Sequence, residues 1–320
     1  MIADPNAKNK GYLSQLAIFL SSTGGGFIIS LLLSLIIWLA MEGTSFPHKT
    51  SDMLQAKYYN VNMVLQAVST LFIFFVPTYI YALICYHRPS QFLGFNLNFT
   101  YKQVLLVVLI LLITLPLAGA LGELNRVLPI PKNLALRFKS WEDARQAEEM
   151  ALININTLPR YILSMFIIAF LPAVFEETFF RAGLQNLLIR WFKGPWIAII
   201  VTSIIFSLVH ISYYGFLVRF ALGVILGLIF YYSRSIWLSI LFHFLFNGIQ
   251  VTALYVTSNS NALAHKEIEA NFPVWLVLPA LVFVYYIFDR FRKLSAPQLA
   301  STVYENPEDD LYGWTKNQPN

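Results

Sequence analysis

Charged residues are scarce in this sequence of 320 residues: Asp, Glu, Lys and Arg together make up 12% of it, against about 25% in an average soluble domain. Apolar residues of the set AVILMFWYC make up 57%, and the mean hydropathy is +0.60. A soluble globule of this size could not cover such a core with so few charges. The same composition excludes disordered, collagen-like and coiled-coil chains. The class that fits is a polytopic membrane protein.

Cysteine is almost absent. Cys85 is the only one, which excludes an internal disulfide and a zinc cluster built from cysteines. The sequence also has no basic run with interleaved aromatics, so its net charge of +5 does not indicate nucleic acid binding. In a membrane protein, such an excess is typical of loops that stay in the cytoplasm. We therefore expect membrane lipid, and not nucleic acid, around this chain.

Long apolar runs are abundant. A spanning helix needs about 20 mostly apolar residues, and the sequence has eight candidate runs. They predict an all-α membrane bundle with about eight transmembrane helices. The first run is too long for the apolar core of a signal peptide, so we expect an uncleaved anchor. The runs lie at about 16–41, 61–86, 104–121, 158–192, 195–211, 216–232, 236–256 and 273–288.

The order of runs and connectors predicts three parts. Residues 1–157 would hold three transmembrane helices and an interfacial loop, in which Trp141 to Ile153 could form an amphipathic helix. Residues 158–290 would form a helical core that includes the last spanning helix. Residues 291–320 would be a polar cytoplasmic tail.

Lysine and arginine counts predict the orientation. With the N-terminus inside, the inner segments hold twelve Lys and Arg residues, whereas the short outer segments hold four and the long connector at 122–157 adds six. Long loops carry less weight in this rule. We therefore expect a multi-pass membrane protein with both termini in the cytoplasm.

Ionisable and polar groups inside apolar runs are costly in lipid, so they usually face the bundle interior and mark a function. Glu177 and Arg181 are four apart and would pair on one helix face. Glu176 points about 100° away and has no such partner, which leaves it able to act. A charge cluster at a helix end is the alternative explanation of all three.

Two histidines lie inside apolar runs. His210 follows Phe206 by four residues, and helix arithmetic from the Gly194–Pro195 turn places it at nearly the depth of Glu176. An acid and an imidazole at one depth are typical of a general-base pair. His243 shares a face with Asn247, and both could donate hydrogen bonds to an oxyanion. The alternative for this second pair is a structural bond between helices. The count places His243 about 10 Å nearer the cytoplasm than His210 unless helices tilt.

Three motifs stand in order on successive apolar runs: EExxxR at 176–181, FxxxH at 206–210 and HxxxN at 243–247. Together they resemble those of the CPBP intramembrane proteases, the family of the type II CAAX prenyl endopeptidases and the bacterial abortive-infection proteins. The resemblance covers about residues 158–250. It implies an eight-helix bundle with a cavity open towards the cytoplasm.

The resemblance also implies roles. Glu176 and His210 would activate water, His243 and Asn247 would stabilise the oxyanion, and Glu177, Arg181 and Phe206 would support the site. The expected activity is hydrolysis of a peptide bond in a peptide or lipidated-protein substrate, without a cofactor. Two alternatives stay open. One is a zinc protease with the ligands Glu176, His210 and His243, although HExxH spacing is absent. The other is a non-catalytic scaffold, immunity factor or transporter subunit.

Overall fold

A computed structural model describes residues 8, 10–44, 55–152, 155, 157–259 and 272–304. The chain is a polytopic helical membrane bundle, which confirms the predicted fold class. Its longer helices are α1 (Tyr12–Glu42), α2 (Tyr59–Cys85), α3 (Tyr101–Val127), α4 (Lys132–Leu152), α5 (Leu158–Phe192), α6 (Pro195–Leu208), α7 (Phe216–Ser233), α8 (Ile236–Asn259) and α9 (Val277–Tyr304). Short helical turns lie at Ala56–Tyr58, Pro89–Phe92 and Val274–Leu276.

Among the described residues, seven helices are long and apolar enough to cross a membrane: α1, α2, α3, α5, α7, α8 and α9 with its preceding turn. The eighth predicted run is α6, which has only 14 residues. At about 1.5 Å per residue it is roughly 21 Å long, which is short of the approximately 30 Å of hydrocarbon in a bilayer. The chain reverses directly after it, because the Ser207 hydroxyl donates to the Phe216 carbonyl at 2.8 Å and Ile211 takes a positive φ of 49°.

Helix α5 is 35 residues long and carries the first motif near its middle. Two stretches of it, Met165–Phe170 and Thr178–Gln185, are π-helical. The second begins directly after Glu177 and includes Arg181. A π-helical turn is wider than an α-helical turn, rotates the side chains that follow it and is found often at functional sites.

Both ends of the described chain lie at one end of the bundle. Tyr12, which begins α1, stacks on Trp191 near the end of α5, with ring centroids 6.5 Å apart. In α9, Ser295 accepts a hydrogen bond of 2.9 Å from Gln103 in the first turn of α3. The link between α2 and α3 lies at the same end, because its Asn96 donates to the carbonyl of Arg234, directly after α7, at 2.7 Å. His210 lies at the opposite end of α6 from the Gly194–Pro195 turn, and so towards the other end of the bundle.

Two predicted boundaries differ from the structure. The interfacial helix predicted at Trp141–Ile153 is part of a longer one, α4, which begins at Lys132, while Ile153 lies outside the described residues. Helix α9 continues to Tyr304, so residues 291–304 of the predicted polar tail are helical. The charged side chains of this stretch pair along the helix, as Lys293 does with Asp289 at 2.6 Å.

Helices α6 and α7 pack closely through glycine. A Cβ added to Gly223 would lie 2.8 Å from the Cβ of Ser203 and 3.0 Å from its Cα. We expect Gly223→Ala to destabilise the protein by about 1–3 kcal/mol, because the α6 backbone would have to move. Thermal unfolding in detergent measures this. The matched control is Gly25→Ala, whose added Cβ has nothing within 4 Å. Equal melting temperatures for the two variants would contradict the packing argument.

Candidate active site

Glu177 is the centre of a buried polar cluster. Its side chain has no exposed surface, and its Oε1 lies 3.2 Å from Nη1 of Arg181. The same oxygen lies 2.8 Å from Nδ1 of His243 on α8. The pairing with Arg181 that the spacing predicts is present. The bond to His243 is a contact between helices that sequence reasoning did not predict.

Phe206, the aromatic residue that begins the second motif, contacts side chains of the other two motifs. Its ring centroid lies 5.0 Å from that of His210 and 6.1 Å from that of His243. The guanidinium carbon of Arg181 lies 4.6 Å from the same centroid, within the range of a cation–π contact. Phe206 therefore connects side chains of all three motifs, and it is itself buried.

The ring orientation of His210 follows from its hydrogen bond. Its Nδ1 lies 2.7 Å from the Phe206 carbonyl. A carbonyl oxygen can only accept, so Nδ1 carries the proton and Nε2 of the neutral ring carries the lone pair. A lone pair at Nε2 is what a residue that holds or deprotonates water needs.

His243 is oriented in the same way by Glu177. A carboxylate accepts, so Nδ1 of His243 donates. Counted from the turns, His243 lay about 10 Å from the depth of His210; in the structure, both rings contact Phe206, one helical turn before His210. The counted difference in depth therefore does not keep the two histidines from contacting the same side chain.

Glu176 differs from its neighbour in its surroundings. Its side chain is half-buried, and it lies within electrostatic range of His243, Glu177, Arg181 and Arg219. Asn247 lies one turn beyond His243 on the same face of α8 and is also half-buried. The ion pair with Arg181 and the bond to His243 are therefore made by Glu177, and the neighbouring Glu176 is the less buried of the two acids.

Sequence reasoning missed Arg219, on the first turn of α7, which it counted only as an outer charge. An arginine within the apolar run 216–232 is itself an ionisable group at membrane depth, and that signal could have found it.

Sequence reasoning also missed the residues that hold the loop after His210 in place. Asn125 donates to the Tyr213 carbonyl and accepts from the Leu217 amide, at 2.8 and 3.1 Å. Ser212 donates to Glu142 of α4 at 2.7 Å.

No three His, Cys, Asp or Glu side chains among the described residues are grouped so that they could hold a metal ion. Both histidines nevertheless donate from Nδ1 to an oxygen, and proteins use this arrangement to orient histidines that bind metal through Nε2. The orientation of the rings therefore suits either water activation or metal binding.

Residues 158–249 match the family model described as type II CAAX prenyl endopeptidase, Rce1-like. The match covers 92 of the 320 residues. All three motifs and Arg219 lie within the matched segment, so the resemblance drawn from the motifs is confirmed.

One curated relative is also described as a CAAX protease. The membrane-embedded CAAX protease MroQ of Staphylococcus aureus (strain USA300) is 29% identical to this chain over 136 residues, which cover 41% of this chain and 53% of MroQ. The chain thus spans about half the length of the relative that it matches. No solved structure matches the chain significantly.

Proposed function

We propose that this protein is an intramembrane endopeptidase that hydrolyses a peptide bond in a membrane-associated peptide or lipidated protein. Water supplies the nucleophile. It attacks the scissile carbonyl to give a tetrahedral intermediate, after which the carbon–nitrogen bond breaks and the amine leaves with a proton. The match of residues 158–249 to the Rce1-like family model supports this class of reaction.

One observation carries the assignment of roles: the two adjacent glutamates have different surroundings. Oε1 of Glu177 is bound to both Arg181 and His243, and a proton taken up by this carboxylate would remove the negative charge that Arg181 pairs with. Glu176 is therefore the general base. It takes a proton from water that is held by Nε2 of His210, and later returns it to the leaving amine.

The second histidine has a different task. Because Nδ1 of His243 donates to Glu177, only Nε2 can face a substrate. To bind an oxyanion, Nε2 must carry a proton, so His243 acts as an imidazolium with Glu177 as its counter-ion. Asn247 supplies a second donor from the next turn of α8. Arg181 balances the charge of Glu177 when His243 is neutral.

A zinc protease is the second candidate, because the Nδ1 bonds of His210 and His243 also suit metal binding through Nε2. Glu176 would be the third ligand, although the three side chains are not grouped as a metal site in this structure. Metal analysis of purified, active protein separates the two mechanisms. Activity at far less than one zinc per chain, undiminished by a chelator, supports the glutamate mechanism, whereas loss and recovery of activity with zinc would establish the metal mechanism.

The function itself is tested by comparing membrane proteomes of cells that carry the native chain or Glu176→Gln. Mass spectrometry of protein termini should show cleavage products in the first and uncut precursors in the second. Glu123→Gln is the matched control, since Glu123 is a carboxylate of α3 that pairs with Arg126 outside the site. Identical termini in all three strains would favour a non-catalytic role, such as a scaffold or transporter subunit.

We also propose that both termini face the cytoplasm, as the lysine and arginine counts predict. Since His210 lies towards the end of the bundle opposite both described ends, this orientation is in conflict with a cavity that opens to the cytoplasm at His210. Single cysteines at Lys10 and Tyr214, after replacement of Cys85, should react with impermeant reagents from opposite sides, with Lys10 labelled from the cytoplasm. Cytoplasmic labelling at Tyr214 alone would reverse the proposed orientation.

A further inference from the structure

Helix α6 covers far less of the membrane than α1, although both begin at the same end of the bundle. Tyr12, the first residue of α1, stacks on Trp191, which lies just before the Gly194–Pro195 turn into α6. From this end α1 runs for 31 residues and α6 for 14, which corresponds to about 46 Å and about 21 Å. Even at a tilt of about 40°, the upper end of the usual range, α1 covers about 35 Å of thickness. Helix α6 therefore ends about 14 Å or more short of the level that α1 reaches.

The outer face of α6 is apolar along its whole length. Its exposed residues recur at helical spacing and define what we call the α6 stripe: Trp196, Ile197, Ile200, Ile204, Leu208 and, just after the helix, Ile211. An exposed tryptophan at one end is typical of the boundary between lipid and water. The apolar surface that α6 offers to lipid is thus about 21 Å tall, against about 30 Å for the hydrocarbon of an ordinary bilayer.

Charged side chains show where hydrocarbon must end beyond α6. Helix α4 lies at the level of the loop that follows His210, because Ser212 of this loop donates to Glu142 at 2.7 Å. On the same stretch of α4, Lys139 and Asp143 are exposed. Exposed charges are costly in hydrocarbon, so water has to reach the level of Ser212.

A charged cavity beside the same loop indicates the same boundary. It measures about 260 Å³ and is lined by Tyr214 and by four charged residues, Arg126, Lys139, Glu142 and Asp143. Arg126 comes from the last turn of α3, where the adjacent Asn125 donates to the Tyr213 carbonyl at 2.8 Å. A polar space of this size suits water and not lipid chains. The end of α3 and the middle of α4 thus both bring charge to the loop in which α6 ends.

We propose that the bilayer is thinned where it meets the α6 stripe, so that the water boundary descends to the loop after His210. A bilayer accommodates a short apolar surface in this way at modest cost. The lipid contact itself does not depend on the proposed function. Its consequence does rest on that function: water for hydrolysis would reach His210 and Glu176 from the thinned boundary, without crossing a full leaflet of hydrocarbon.

Spin labels on the full chain in dioleoyl phosphatidylcholine vesicles test the thinning without a substrate. After replacement of Cys85, a single cysteine at Ile211 carries the label. The matched control is Ile28→Cys on α1, because both isoleucines are exposed, 66% and 60%, and each lies equally many residues beyond the start of its helix. Lys139→Cys on α4 supplies the water reference. Power saturation compares the access of oxygen, which concentrates in hydrocarbon, with the access of a nickel chelate, which stays in water.

The label at Ile211 should resemble the label at Lys139, with nickel access several-fold above that at Ile28. High oxygen access and low nickel access at Ile211, like those at Ile28, would overturn the inference. Poor access of both reagents at Ile211 would also overturn it, because protein and not a thinned bilayer would then cover the end of the stripe.

Turnover tests the consequence for hydrolysis. With a substrate identified by the proteome comparison, kcat should be highest in the thin bilayers of dimyristoleoyl phosphatidylcholine. It should fall by about threefold or more in dierucoyl phosphatidylcholine, because its longer chains oppose thinning. Equal turnover in both lipids would overturn the supply of water by thinning. If the native chain hydrolyses nothing in any lipid, the proposed function fails, yet the labels at Ile211 and Ile28 still decide whether the bilayer is thinned.

Discussion

Replacing Glu176 with glutamine is expected to lower kcat by a factor of about 10² to 10⁴, because the variant keeps the size of the side chain and loses the group that takes the proton. His210→Ala should cause a loss of similar size, since Nε2 of His210 is the atom proposed to hold the water. Both residues lie outside the pair of Glu177 with Arg181, so neither change breaks the buried ion pair. Single-turnover kinetics on a verified substrate measure the chemical step.

Folding must be controlled in this experiment. Detergent-extracted yield and melting temperature of Glu176→Gln and His210→Ala should be close to those of the native chain. Glu123→Gln, which alters a carboxylate outside the site, should keep full activity. Near-native turnover by a folded Glu176→Gln protein would rule out Glu176 as the general base.

Removing Glu177 is expected to destabilise the protein by about 3–5 kcal/mol, because Arg181 would remain buried without its counter-charge. Neither side chain exposes more than 1% of its surface, so a lone guanidinium would be shielded from solvent. His243 would lose the acceptor of its Nδ1 proton at the same time. The measurement is denaturation of Glu177→Ala in detergent, with extracted yield as a second readout.

Two further variants identify the cause. Glu176→Ala deletes the adjacent carboxylate and should cost less, since it leaves the pair of Glu177 with Arg181 intact. Glu177→Ala combined with Arg181→Met removes both charges and should recover part of the lost stability, because no uncompensated charge remains. Equal melting temperatures for Glu177→Ala and Glu176→Ala would defeat the argument.

The sequence by itself determined the membrane class and most of the helices. Runs of apolar residues set the spans, because lipid admits a helix only where few charges interrupt it. Helix α6 shows the limit of this reasoning. The apolar run extends to Ile211, yet the helix ends at Leu208. The turn that follows is closed by a hydrogen bond from Ser207 to the carbonyl of Phe216, which belongs to the next helix.

The sequence also determined contacts within single helices. Glu177 with Arg181 and Phe206 with His210 are four residues apart, and the helical repeat alone places such pairs on one face. Both are in contact in the structure. The order of the three motifs likewise pointed to the family whose model matches residues 158–249.

Only the tertiary structure decided which groups meet across helices. The bond from His243 to Glu177 and the contacts of Phe206 with His243 and Arg181 each join residues more than 20 positions apart. The depth of His243 relative to His210 could not be counted from the turns, because the packing between helices sets how far one axis is displaced along the next. A helical repeat fixes angles around one axis, whereas packing between axes fixes which of two adjacent glutamates bonds to the histidine of another helix.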